Sequence, residues 1–412
     1  MTLAAFSQHA PNPYFEARDG ELMIGGEAVS RLVARIGRTP IYVYDRAIMS
    51  RKVAELRSVL PDDVELHYAI KANPMPGVVD HLAGLVDGLD VASAREMHVA
   101  LASGTDPIEI SFAGPGKSPA DLAEAVAARI VINVESELEL ERISEIATRT
   151  NLRPRVAIRV NPDFELKSSG MKMAGGPKQF GIDAERVPDM LQSLARRPVE
   201  FWGFHIFSGS QNLRPEVLVD AQQKSATLAI ELARHAPGPV RLLNLGGGFG
   251  IPYFPGEKPL DIEPIGTALK KLVPEIHAAL PESRVVLELG RFLVGESGVY
   301  LCQVLDKKVS RGHVFLVTDG GLHHHLAASG NFGQVLRKNY PVLVANRIDS
   351  AAREVASVVG PLCTPLDLLA DRMDLAEARV GDLIAVFQSG AYGYTASPIG
   401  FLSHPPPAEI IV

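Results

Sequence analysis

Between residues 67 and 291 one rhythm repeats eight times. A short β-rich run ends in Gly, Asn, Ser or a charged residue, and a helical pattern follows. The runs are HYAIKAN (67–73), GLDVAS (88–93), IEISFAGPG (108–116), RIVINVES (129–136), RPRVAIRVNP (153–162), EFWGFHIFSGSQ (200–211), VRLLNLGGGFG (240–250) and RVVLELGR (284–291). Stretches between them, such as AREMHVALAS, SPADLAEAVAAR and SELELERISEIATR, carry apolar residues at three- and four-residue steps, the period of one helix face. Continuously apolar strands alternating with helices require a parallel sheet covered by helices. Eight such units in about 225 residues predict a (β/α)8 TIM-like barrel, with an open doubly wound sheet as the structural alternative.

The flanks have a different texture. ELMIGGEAVSRLVARIGRTPIYVYD (21–45) has short strands and turn signals. YLCQVLDKKV, HVFLVTDGG, YPVLVAN, DLIAVFQSGAYG and PAEIIV form a run of β segments after the barrel. A run of strands following an alternating region predicts a separate β domain. The expected division is a barrel over 46–283, with 1–45 and 284–412 forming the β domain.

A chain of 412 residues that is 46% hydrophobic can bury a large core. Its formal charge of −7, without a long Lys/Arg block, argues against nucleic acid or an anionic membrane as partner. Cys302 and Cys363 are too few for a disulfide framework and lack metal-ligand spacing. The N-terminal stretch lacks the basic start and apolar core of a signal peptide, and no apolar run is long enough to span a bilayer. The expectation is a cytoplasmic globular protein.

Chemistry in such a barrel sits at the C-terminal ends of the strands. At the first tip, Lys71 follows Tyr68, Ala69 and Ile70. It either snorkels, with its stem on apolar surface and its ammonium in water, or is a desolvated amine suited to a Schiff base with an aldehyde. At the seventh tip, Gly246, Gly247 and Gly248 form either a tight turn or a nest of backbone amides for a phosphate. The dinucleotide fingerprint G-x-G-x-x-G is not met, because residue 251 is isoleucine. At the sixth tip, His205 is either a satisfied buried histidine or a ring that stacks on a planar cofactor, with Ser208 donating to a phosphate. At the eighth, Glu288 is either paired with Arg291 or faces a ring nitrogen and keeps it protonated. Amine, amide nest, imidazole and carboxylate together fit one cofactor, pyridoxal 5′-phosphate.

With these motifs in order, the sequence resembles the fold-type III pyridoxal-phosphate decarboxylases, which include diaminopimelate, ornithine and arginine decarboxylases. The resemblance covers roughly residues 40 to 400. It implies that Lys71 of YAIKAN holds the cofactor and that Asp90 of GLDVAS lies near the site. From FHIFSGSQ it implies that His205 stacks on the ring, with Ser208 near the phosphate, and from LGGGFG a phosphate-binding loop. LELGR stands where the family usually has E-P-G-R, pointing to Glu288, Gly290 and Arg291. GPLCTPLD resembles the motif whose cysteine, here Cys363, completes the neighbouring subunit's site. SGAYGYT resembles the motif whose tyrosine, here Tyr392, reaches the phosphate. A homodimer is implied.

Departures from the family concern the substrate. Thr364 and Pro365 follow Cys363, where diaminopimelate and ornithine decarboxylases have an acidic residue for the distal amine. The R-P-x-L-Y element of diaminopimelate decarboxylases is also missing. FELKSSGMKMAGGPKQFGI (164–182) and LHHHLAASGNFG resemble the exosortase-associated subgroup and the related enzymes acting on glutamyl groups tethered to an acyl carrier protein. His323, His324 and His325 are consecutive, and a strand would send them to alternate faces, so no metal site is expected. The implied reaction is α-decarboxylation of an amino acid, with Lys71 and Cys363 as catalytic residues. The alternatives are a racemase on the same fold and a non-catalytic pyridoxal-phosphate-binding protein.

Overall fold

The computed structural model describes residues 10, 12–164, 171–172, 175–332, 334 and 337–412. Parts of the 164–182 and 322–333 stretches, and the N-terminal residues 1–9 and 11, lie outside the described residues. The chain divides into two compact units. One comprises Lys52–Gly250 and Leu260–Gly290, the other Met1–Arg51, Ile251–Pro259 and Arg291–Val412.

The first unit is a closed barrel of eight parallel strands. They are β1 (Val64–Ala69), β2 (Gly88–Val91), β3 (Ile110–Phe112), β4 (Val131–Val134), β5 (Arg155–Asn161), β6 (Glu200–Ile206), β7 (Leu242–Gly247) and β8 (Arg284–Leu289). Each pairs with the next, β8 pairs with β1, and the β4–β5 pairing leaves no free edge. An open sheet is thereby excluded. Helices lie between the strands, and serine side chains start three of them. Ser93 accepts from Glu96 N–H and Ser136 from Glu139 N–H, while Ser118 and Asp121 form a reciprocal capping box. Each cap satisfies an amide the first helical turn leaves over, worth about 1 kcal/mol. Val131, Ala157, Trp202, Leu242 and Val286 pack into one apolar cluster inside the barrel.

The barrel continues past residue 283. β8 hydrogen-bonds on both sides, to β7 and β1, so its residues through Gly290 belong with the barrel rather than with the β domain.

The second unit is built on a mixed sheet. Its strands run in the order Val342–Val344, Leu383–Val386, Gly298–Ser310, His313–Thr318, Arg353–Val359 and Leu368–Ala376. Ile41–Tyr44 pairs antiparallel with Gly298–Ser310 and parallel with Ala408–Ile411, so the N-terminal segment is part of this unit. Phe15, Leu22, Ile24, Val43, Val299, Leu301 and Ala385 meet in its core. The five β segments read from the sequence each contain a strand, and Arg353–Val359 and Leu368–Ala376 are additional. Among the described residues, no helix is long and apolar enough to cross a membrane.

Candidate active site

Lys71 stands on a single turn of 3-10 helix, Ile70–Ala72, that caps β1. The apolar run buries Tyr68, Ala69, Ile70 and Ala72, but the lysine side chain itself is 43% exposed. The expectation of a desolvated amine is therefore replaced by a snorkelling geometry with a charge partner. Its Nζ donates to Glu288 Oε1 at 3.0 Å. Glu288 is buried near the end of β8, with His205 Nε2 3.2 Å and Asn244 Nδ2 3.5 Å from its other oxygen. Burial pushes this carboxyl up, but the Lys71 charge and the His205 imidazole outweigh it and hold Glu288 well below the usual carboxylate range. Within the barrel unit the carboxylate is paired with Lys71 and His205.

The glycine loop is sterically obligatory. Gly246 and Gly248 have φ of +68° and +81°, where L side chains are strained. A Cβ on Gly247 would strike the Glu288 carbonyl oxygen, and one on Gly248 the Gly209 carbonyl oxygen. Asn212 N–H donates to the Gly248 carbonyl at 2.9 Å, so the segment after β6 lies directly against this loop. On that segment Ser208 is buried, and the Ser210 Oγ is a buried atom with no hydrogen-bond partner among the described residues.

Deeper in the barrel the interior is polar. Asn133 Nδ2 donates to Ser111 Oγ at 3.2 Å, Ser111 donates to Asp90, and Asp90 Oδ2 lies 3.5 Å from His67 Nδ1. Asp90 is thus placed inside the barrel beneath the mouth, tied to β1 and β3. Burial alone would push His67 down, but Asp90 and Glu65 raise it to about 10. At the opposite end of the strands Glu65, His67 and Glu109 converge within 4.8 Å. Arg284 donates to both Glu109 oxygens, at 2.8 and 2.7 Å, and lies 3.4 Å from Glu65, so a guanidinium already supplies the positive charge there.

In the second unit, Arg291 Nη1 donates to the Tyr253 hydroxyl at 2.6 Å, and its guanidinium lies 4.7 Å from the centroid of the Tyr392 ring. The structure thus brings together two residues that the sequence named separately. Cys363 is exposed, on a turn with Pro365 and Leu366. Asp367 is buried and accepts from Leu322 N–H at 2.6 Å and Leu362 N–H at 2.8 Å. His323 and His324 lie in a turn and His325 directly after it, none on a strand, and all three are buried. His325 Nε2 is 2.8 Å from Ser389 Oγ.

Sequence reasoning missed Asn244, His67, Ser111 and Tyr253. The first three sit on barrel strands with side chains at alternate positions. A polar residue every second place inside an otherwise apolar strand is the signal that would have found them.

The residues present fit pyridoxal phosphate. An amine stands at the mouth, an obligatory glycine cradle lies beside the orphaned Ser210 hydroxyl, and a buried carboxylate is held ionised. A closed parallel barrel so equipped defines an enzyme that holds a phosphorylated aldehyde with a basic ring. Residues 46–295 match the family model of the pyridoxal-dependent decarboxylase pyridoxal-binding domain. The chain is 38% identical to the L-glutamyl-(BtrI acyl-carrier protein) decarboxylase of Niallia circulans, covering 90% of this chain and 88% of that one. It is 32% identical to the diaminopimelate decarboxylase of Aquifex aeolicus, over 97% and 93% of the two chains. The diaminopimelate decarboxylase of M. jannaschii in complex with L-lysine superposes with a TM-score of 0.87 at 25% identity, covering 97% of this chain and 93% of that one. The chain belongs to the pyridoxal-dependent decarboxylases. It is a pyridoxal-phosphate-dependent carboxy-lyase acting on an amino acid, rather than a racemase or a non-catalytic cofactor-binding protein.

Proposed function

We propose that this enzyme removes the α-carboxyl group of an amino acid whose distal end is not a free ammonium, and that the substrate arrives tethered to an acyl carrier protein. The observation that carries this reading is the state of Asp367. It is the acid nearest Cys363 in the following sequence, and its carboxylate is committed to the backbone amides of Leu322 and Leu362. Thr364 and Pro365, directly after Cys363, offer no charge to a distal amine. A neutral amide or thioester linkage costs less to accommodate there than an unpaired cation. The relative that acts on a carrier-protein-bound glutamyl group supports the same direction.

The residues divide the work. Lys71 would hold the cofactor through its aldehyde, its Nζ positioned at the mouth by Glu288. When bound, pyridoxal phosphate supplies the electron sink for the pair left behind as CO2 departs. Glu288, ionised under Lys71 and His205, holds a proton on the ring nitrogen. Gly246, Gly247 and Gly248 with Ser208 would hold the phosphate in the barrel unit, and Arg291 and Tyr392 lie together in the second unit. Asp90 and Gly290 shape the floor and wall of the cofactor seat. Cys363, contributed by the second copy of a homodimer, returns a proton to the α-carbon. The setting is the cytoplasm.

A panel of free amino acids and their carrier-tethered counterparts, followed by mass spectrometry for loss of CO2, tests the reading. Turnover of the tethered glutamyl group above all free substrates is expected. Faster turnover of free diaminopimelate or ornithine overturns it.

A further inference from the structure

We propose that Phe207, rather than His205, supplies the aromatic face that lies on the cofactor ring, and that His205 works from behind Glu288 as a positioning residue. Four observations carry this.

Burial comes first. His205 is 2% exposed, enclosed in the barrel interior, while Phe207 keeps an accessible face. Depth is second. His205 stands opposite Asn244 in the β6–β7 register. Phe207 stands two residues after His205, just past the end of β6 and nearer the mouth, against Gly246. A ligand entering at the strand tips reaches Phe207 before His205.

Third, Phe207 is half-buried, and its ring lies on the glycine loop. A Cβ on Gly246 would come within 2.7 Å of Phe207 Cδ2. The bare Gly246 thus serves a second purpose beyond its φ of +68°, since it lets an aromatic face settle beside the anion cradle. Fourth, His205 has a different partner. Its Nε2 lies 3.2 Å from Glu288 Oε2, while Lys71 takes Oε1 at 3.0 Å. The imidazole thereby holds one oxygen of the Glu288 carboxylate while Lys71 holds the other.

The test titrates apoprotein with pyridoxal phosphate, following quenching of intrinsic fluorescence, and records the thermal midpoint of each apoprotein. Phe207→Leu keeps the volume and removes the π face. It is expected to weaken cofactor binding about tenfold with the apoprotein midpoint unchanged, and Phe207→Tyr to restore it. His205→Leu is expected to leave cofactor affinity within about threefold, less than the loss of a ring stack. It is also expected to move the acid limb of the kcat–pH profile up by about one unit, because Glu288 loses a group that favours its ionised form. His205→Gln, which keeps an N–H donor, returns the limb to its original place. A tenfold loss of affinity in His205→Leu together with wild-type affinity in Phe207→Leu overturns the assignment.

Discussion

Glu288 gathers Lys71, His205 and Asn244 around one carboxylate, each at 3.0–3.5 Å. Glutamine at this position keeps the shape and loses the charge, so Glu288→Gln is expected to lower kcat about a hundredfold, in steady-state assays saturated with cofactor. The same group links stability to pH. Its folded value lies below the ordinary 4.5, so it stabilises the fold above that pH, and this stabilisation is lost as pH falls below it. Gly247→Ala acts on the same carboxylate from the backbone side, because the added Cβ collides with the Glu288 carbonyl oxygen. It is expected to lower both cofactor affinity and the barrel's melting temperature, by titration and calorimetry. Lys71, the glycines and Glu288 were legible because each is chemically out of place in an apolar strand exit. The exposure of Lys71, the pairing of His205 with Glu288 and the role of Asp367 were not, since they depend on strands far apart in sequence.

Among the elements, the β3–β4–β5 arc of the barrel is held by a buried ionic network. Lys117, after β3, donates to Gly114 O at 2.7 Å, Asn133 O at 2.8 Å and Glu139 Oε1 at 2.5 Å. Glu135, at the end of β4, accepts from Arg159 of β5 at 3.1 Å and from the amides of Gly114 and Gly181. Burial pushes Glu135 up, but Arg159 and Lys117 hold it below the usual carboxylate value. Methionine at 117 fills the space and strands Glu139 without its cation. Lys117→Met is expected to cost about 3 kcal/mol in urea unfolding of the barrel unit. The double variant Lys117→Met/Glu139→Leu recovers most of that loss. The barrel strands were legible because they are predominantly apolar and regularly spaced. Leu368–Ala376 was not, because LLADRMDLA is rich in residues without strand preference, and only its pairing with Arg353–Val359 makes it a strand.

At the scale of the whole molecule, the buried histidines pull stability in opposite directions with pH, and each unit carries one direction. In the barrel, Asp90 and Glu65 raise His67 from 6.5 to about 10. A raised folded value means stability fully present below about 6.5 and lost as pH rises towards 10. In the β-rich unit, burial lowers His323 and His325 to about 3 and His324 to about 4. The unfolded chain then takes up protons at 6.5 that the folded unit refuses, so stability falls as pH drops below that value. Above pH 4.5, where Glu288 stays ionised, calorimetric scans should therefore show the barrel transition weakening on the alkaline side and the β-unit transition on the acid side. His67→Leu is expected to flatten only the alkaline arm while lowering the barrel's midpoint at neutral pH, since buried Asp90 then loses the His67 charge beside it. His325→Gln is expected to soften only the acid arm. If His67→Leu changed the acid arm and left the alkaline one intact, the ion pair with Asp90 would not be what sets the barrel's alkaline limit.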